Sequence, residues 1–358
     1  MDTTDRIAFS NSIRLSAGQW SCLALFMAAF VLIAPRFWNQ VEDFAIEPNY
    51  RIPHELSQDY WLFERYAGLA AQKYDRLILG DSVVWGEYVT REETLSRYLN
   101  HSSGQPEWYG NLGIGAAHPL ALSGLIVHYA SSIANKDVVL HCNPLWLSSP
   151  KTDLQDEKFT DFNHPRLVPQ FFPRIPSYHK EEVSHRLGVL VEQRFDFNKW
   201  TNHLQQAYYD RTDIPGWTLE HPYVNPVAPL TRGLPPSDNT RRYLPEPWNK
   251  RGLTKTDFAW VAMETSLQWP AFQRAVETLQ RRGNRVFVLV GPLNEHMMTP
   301  ASLERYQKVK ATIKAWLVNR KIAHLVPEAL PSEHYADASH PLAAGYEAIA
   351  RQVIAAHK

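Results

Sequence analysis

Cysteine is nearly missing from this 358-residue chain, which has two, Cys22 and Cys142. Two such residues make no disulfide framework, and their spacing matches no metal site. An excess of either charge is missing too. Lys plus Arg and Asp plus Glu number 37 each, so no basic surface argues for nucleic acid as a partner. There is no internal repeat and no low-complexity tract, which excludes a repeat array. The histidines at 164, 179, 185, 203 and 221 lack metal-ligand spacing and read as surface or packing residues. Gly113-Ile-Gly115-Ala-Ala-His118 opens like a dinucleotide-binding loop, but His118 stands where the third small residue belongs, and no acidic residue ends the next strand. What is present is a hydrophobic content of 44%, enough for a substantial core, in a length that suits one large or two ordinary domains.

The N-terminus carries the one long apolar run. Residues 15–35, between Arg14 and Arg36, contain no charge and include Cys22-Leu-Ala-Leu-Phe-Met-Ala-Ala-Phe-Val-Leu-Ile-Ala34. A membrane-spanning helix needs about 20 predominantly apolar residues, so this segment qualifies. The competing readings are a cleaved signal peptide, a lipoprotein signal and a buried helix of a soluble domain. No small-x-small site follows the run, and Pro35 stands where cleavage would fall. The bulky Gln19-Trp20-Ser21 before Cys22 does not suit lipoprotein processing. The expectation is an uncleaved single-pass anchor over 15–35 behind a tail of residues 1–14. Arg6 and Arg14 outweigh Arg36 and Arg51 only slightly, which places the bulk of the chain outside the cytoplasm.

After a polar linker over 36–53, helical and strand patterns alternate. Helices are predicted over 54–73, 92–100 and 118–134, with strands over 75–80, 107–112 and 136–142. Residues 148–255 are rich in Pro, aromatics and His, with runs such as Gln170-Phe-Phe-Pro-Arg-Ile-Pro176. They read as a large insertion with one helix over 180–194, packed over one edge of the core. The rhythm resumes with helices over 265–282, 302–319 and 341–356 and strands over 285–290 and 323–326. The core thus falls in two parts, 54–147 and 256–358. The expected fold is a flavodoxin-like three-layer α/β/α sandwich with a parallel sheet of about five strands.

In such a sheet, ligands bind outside the carboxyl ends of the strands. Ser82 follows the first strand, in Leu77-Ile-Leu-Gly80-Asp81-Ser82. The run Asn111-Leu-Gly-Ile-Gly-Ala116 follows the second, Asn143 the third, and Asp337-Ala-Ser-His340 the last. Each alone reads more simply as a helix cap or turn residue. Together they bring a nucleophile, a base and an orienting carboxylate to one sheet edge, as serine-based acyl transfer requires. Asp81 and the residues ending the fourth strand, Asn294, Glu295 and His296, are candidates for the pocket, and a polar loop cap explains the latter equally well.

These residues resemble the sequence blocks of the SGNH (GDSL-type) hydrolase superfamily. Gly80-Asp81-Ser82 with Gly86 matches the first block, Asn143 the third and Asp337-x-x-His340 the last. Two departures stand out. The family's Gly-x-Asn-Asp is here His141-Cys142-Asn143-Pro144, and the oxyanion glycine falls on Ala116, with Gly115 one position earlier. The resemblance covers 75–145 and 285–357 but not the insertion. It implies Ser82 as nucleophile, His340 as base and Asp337 as its orienting acid. It also implies an oxyanion hole from the N–H of Ser82, the N–H of Gly115 or Ala116, and the Asn143 amide, with neither cofactor nor metal.

An anchor joined to this core is similar to bacterial proteins that add or remove acyl groups on cell-envelope polysaccharides. The expected activity is therefore a serine esterase or O-acyltransferase in the cytoplasmic membrane. Its partners would be an acyl ester or polysaccharide substrate and a membrane acyl-donor protein. A non-catalytic binding or assembly protein of this fold and a secreted lipid or carboxylester hydrolase are the alternatives. Trp200, Trp217 and Trp248 of the insertion suit sugar stacking or core packing alike.

Overall fold

A computed structural model describes residues 15–104, 108–159, 161–171, 175, 182–237 and 243–356. The tail with Arg6 and Arg14, together with Lys180 and His179, lies outside them. The chain divides into two compact units, Met1–Glu42 and Asp43–Lys358.

In the first unit, helix α1 (Ala17–Val41) begins at a capping box in which Ser16 and Gln19 satisfy each other's backbone N–H groups. It is the one described helix long and apolar enough to cross a membrane. Its large side chains, Leu25, Phe26, Leu32 and Ile33 among them, point outward. The helix runs on to Val41, into the stretch expected as linker. The remainder of that stretch is not a free linker either, because Tyr50, Arg51 and Ile52 are buried in the second unit.

The second unit holds helices α2 (Tyr60–Lys73), α3 (Ser82–Trp85), α4 (Leu95–Ser103) and α5 (Pro119–Tyr129) in its first part. Between and after them run strands β1 (Arg76–Gly80), β2 (Tyr109–Gly113) and β3 (Asp137–Cys142). The insertion contributes α6 (Val183–Arg194), α7 (Asp196–Tyr208) and α8 (Ile214–Glu220). The second part is α9 (Gln268–Arg281), β4 (Arg285–Val290), α10 (Pro300–Asn319), β5 (Ala323–Leu325) and α11 (Ala343–Ala356).

The five strands form one all-parallel sheet in the order β2-β1-β3-β4-β5, with β1 in register against both β2 and β3. This is the flavodoxin-like order, and the three-layer α/β/α sandwich is as expected. Side chains alternate between faces as strand geometry requires. Leu77, Leu79, Leu140 and Val288 pack with α2, α5, α9 and α10. Ile78, Val139, Phe287 and Leu289 pack with α3, α4 and α11 on the other face. Both faces being covered explains why the central strands β1, β3 and β4 carry apolar runs, Leu77–Leu79, Val138–Leu140 and Val286–Val290.

Helix boundaries differ from expectation where a side chain caps. Asp59 accepts the Leu62 N–H at 2.9 Å, so α2 starts at Tyr60 and His54–Leu56 becomes a separate 3-10 turn. The insertion is more ordered than expected. Its α7 packs on α2, where buried Lys199 bonds Glu64 at 2.8 Å and buried His203 bonds Asp59 at 2.6 Å. Of the insertion's tryptophans, Trp200, Trp217 and Trp248 are all buried, which accords with packing rather than with an exposed sugar platform.

Candidate active site

The reversal of strand order lies between β1 and β3, so the carboxyl ends of these two strands open onto one crevice. β1 is buried through Gly80 and gives way to α3, whose N-cap is Asp81. The Asp81 carboxylate accepts the Val83 N–H at 3.1 Å. Ser82 is then the first residue of a helix, and its own N–H is one of the donors that helical geometry leaves over. α3 is a single turn and is secured from every side. Buried Arg51 lies 3.8 Å over the Trp85 ring and donates to the carbonyls of Trp85, Gly86 and Val89. Tyr346 of α11 donates to the Val83 carbonyl at 2.7 Å, and Asn111 of β2 to that of Val84 at 2.9 Å. At the end of β2, Gly113 passes so close beneath α3 that a Cβ there would lie 2.3 Å from the Trp85 nitrogen.

Ser82, His340 and Asp337 form one hydrogen-bonded chain across 258 residues of sequence. His340 Nε2 is 2.8 Å from Ser82 Oγ, and its Nδ1 is 2.9 Å from both Asp337 oxygens. A carboxylate only accepts, so Nδ1 carries the proton and Nε2 faces the serine hydroxyl as acceptor. Asp337 Oδ1 also takes the N–H groups of Ser339 and His340, which closes the loop around its own acid. Burial pushes the Asp337 carboxyl up, but the His340 charge and these hydrogen bonds hold it well below the usual range. Burial would lower the His340 imidazole, but Asp337 foremost, with Asp81 and Glu87, raises it.

Three expected pocket residues sit elsewhere. Asp81 does not line the pocket: it is 3% exposed, beneath the serine, and bonds Asn143 Nδ2 at 2.7 Å, Trp146 Nε1 at 2.9 Å and His141 Nδ1 at 3.3 Å. Burial disfavours its charge, yet these donors keep its pKa down at about 2. Asn294 is fully buried and supports the Asp337–His340 loop, its backbone N–H bonded to the Ala338 carbonyl and its amide to that of Asp337. His296 faces outward and bonds the Leu330 carbonyl at 3.0 Å. Asp81 is taken up by capping α3, and Asn294, after β4, by supporting the Asp337 loop.

Gly115 and Ala116 line the same cavity as Ser82 and His340. Asn143 follows β3 and is buried, and it is not among the described residues that line the cavity. Its oxygen accepts the Leu145 N–H at 3.0 Å and its nitrogen donates one hydrogen to Asp81, which leaves the second amide hydrogen uncommitted. The cavity encloses about 880 Å³ and is walled by both halves of the core and by the insertion. Its other lining residues were not singled out from the sequence as site residues: His54, Glu55, Ser57, Gln58, Glu87 and Tyr88 from the core, and Asn163, His164, Gln206, Arg211 and Tyr243 from the insertion. Burial raises the Glu87 carboxyl although His340 is near. Tyr88 sets its ring 5.5 Å from that of His340, edge to face. No spacing rule links these residues; only the polar, aromatic character of the insertion hinted at them.

Among the described residues, no group of three or more His, Cys, Asp or Glu is arranged to hold a metal ion. The chain matches no protein-family model and no curated protein.

Proposed function

We propose that this chain is an SGNH-type serine esterase or O-acyltransferase, acting on short acyl esters, acetyl above all, of a cell-envelope or exported polysaccharide. The observation that carries this reading is the continuous Ser82–His340–Asp337 hydrogen-bond chain opening onto a large cavity. A binding scaffold has no need of a base aligned on a serine hydroxyl by a carboxylate.

In the proposed reaction, Ser82 Oγ attacks the ester carbonyl carbon as its proton passes to His340 Nε2. Asp337 stabilises the imidazolium. The tetrahedral oxyanion forms against the Ser82 N–H, an N–H of the Gly115–Ala116 turn and the free Asn143 amide hydrogen. As the intermediate collapses, the His340 proton goes to the departing alcohol oxygen and the acyl group stays on Ser82. Water then releases the acid, or a sugar hydroxyl takes the acyl group, with His340 again removing the proton.

The lining favours a hydroxyl-rich substrate over a long acyl chain. Glu55, Gln58, Asn163, Gln206 and Arg211 present polar groups to the cavity, and among the described residues no Leu, Ile, Val, Phe or Met lines it. This speaks against the lipid-hydrolase alternative. The apolar α1 supports placement in the cytoplasmic membrane as a single-pass anchor, with the catalytic unit outside.

The deciding experiment is labelling with a serine-reactive fluorophosphonate. Wild-type protein takes the label and Ser82→Ala does not. Equal labelling of the two, or none of the wild type, overturns the assignment.

A further inference from the structure

The insertion reaches the active site at a point the chemistry depends on. His164 Nε2 lies 2.7 Å from the Gly115 carbonyl oxygen, and its Nδ1 lies 2.9 Å from the Tyr60 hydroxyl on α2. A carbonyl only accepts, so Nε2 carries the proton, and bare Nδ1 accepts from Tyr60. Both side chains are buried. Burial also lowers the His164 pKa to about 4, consistent with the neutral ring that this pattern needs.

The carbonyl held by His164 belongs to the peptide whose other end is the Ala116 N–H. In a trans peptide, the N–H points opposite to the C=O. Fixing one therefore aims the other. Among the described residues, no protein group accepts from the Ala116 N–H, although Ala116 lies on the cavity wall with Ser82. The turn is tied from its far side as well. The His118 N–H donates to the Ala116 carbonyl at 3.0 Å, and His118 Nε2 bonds the carbonyl of Asn163, the residue before His164, also at 3.0 Å. Ala116 has φ 56°, a left-handed conformation that alanine keeps only when its surroundings enforce it.

We propose that His164 is a positioning residue: held by Tyr60, it pins the Gly115 carbonyl so that the Ala116 N–H faces the oxyanion formed at Ser82. This selects Ala116 over Gly115 as the turn's donor and makes the insertion part of the transition-state machinery. It rests on the serine-esterase reading above.

The test compares His164→Leu with His164→Gln in the full-length chain in detergent. Both replacements bear the same left-handed backbone, since His164 has φ 57°, but only Gln keeps a donor at the reach of Nε2. Turnover of p-nitrophenyl acetate and the rate of fluorophosphonate labelling of Ser82 are measured. His164→Leu is expected to lower kcat and slow labelling about 10- to 100-fold, somewhat less than outright loss of an oxyanion donor. KM should stay within about twofold, as expected when only transition-state binding is lost, and His164→Gln should recover most of the rate. Wild-type labelling by His164→Leu, or equal loss in both variants, overturns the proposal. If His164→Leu does not fold, Tyr60→Phe takes its place: it frees the ring from its tautomer and should slow labelling, and an unchanged rate overturns the proposal. A wild-type chain that labels independently of Ser82 would instead remove the underlying esterase reading.

Discussion

In the proposed reaction His340 must be neutral to accept the Ser82 proton, and Asp337 raises its pKa above the ordinary imidazole value of 6.5. A raised base is protonated, and idle, up to a higher pH. The acid limb of the kcat/KM profile should therefore lie above about 6.5. Asp337→Asn removes the charge that raises it, so the limb moves down while kcat falls by about 10³- to 10⁴-fold. A pH–rate profile of the two proteins checks both, and a limb unmoved by the substitution would detach Asp337 from His340. The depressed carboxyls work in the opposite sense on stability. Asp81 and Asp337 contribute fully above the unfolded carboxylate value near 3.9, and their contribution is lost as pH falls through their folded values. At this scale Ser82, Asp337 and His340 were legible because each lies in a short local motif. The surroundings of the Gly115–Ala116 turn were not, because His164, which bonds the Gly115 carbonyl, lies 49 positions away.

α3 is the element on which the site turns, and the sequence offers little sign of a four-residue helix. It is held by tertiary contacts: Arg51 from the segment after α1, Tyr346 from α11 and Gly113 from β2. Gly113→Ala would force its Cβ to 2.3 Å from a backbone nitrogen that no side-chain rotation can move aside. The expected cost is about 1–3 kcal/mol, with slower labelling of Ser82 as α3 shifts. A thermal melt and a labelling time course check this, and a variant matching wild type in both would mean that the strand end has room to retreat. The long core helices were predictable from their apolar faces. α7 and α8 were not, because they lie among prolines and aromatics, and α7 is held by buried pairs such as His203–Asp59 rather than by an apolar stripe alone.

For the whole molecule, the anchor reading makes a physical prediction. If α1 spans a bilayer, the chain stays in the membrane pellet after alkaline carbonate extraction, and its N-terminus is uncleaved. Deleting residues 15–41 should move it to the soluble fraction, with Ser82 still labelled, because the second unit carries the whole site. Extraction of the intact chain, or a mature N-terminus beyond the apolar run, would favour the signal-peptide reading.

Local order was the sequence's to determine. Short apolar runs make the central buried strands β1, β3 and β4, 3.6-residue periodicity makes core helices, and one long uncharged run makes α1. Ser82 and the Asp337–His340 pair were likewise each written in a short local motif. Only the tertiary structure decided the partners of Asp81, which the sequence left as a pocket candidate. Asp81 adjoins Ser82 in sequence, as Asp337 stands three residues before His340. The sheet order sets β1 against β3, and this turns Asp81 inward to His141, Asn143 and Trp146 while Asp337 meets His340. A hydrogen bond depends on distance and direction in space, and neither is encoded by spacing once the partners lie on different strands.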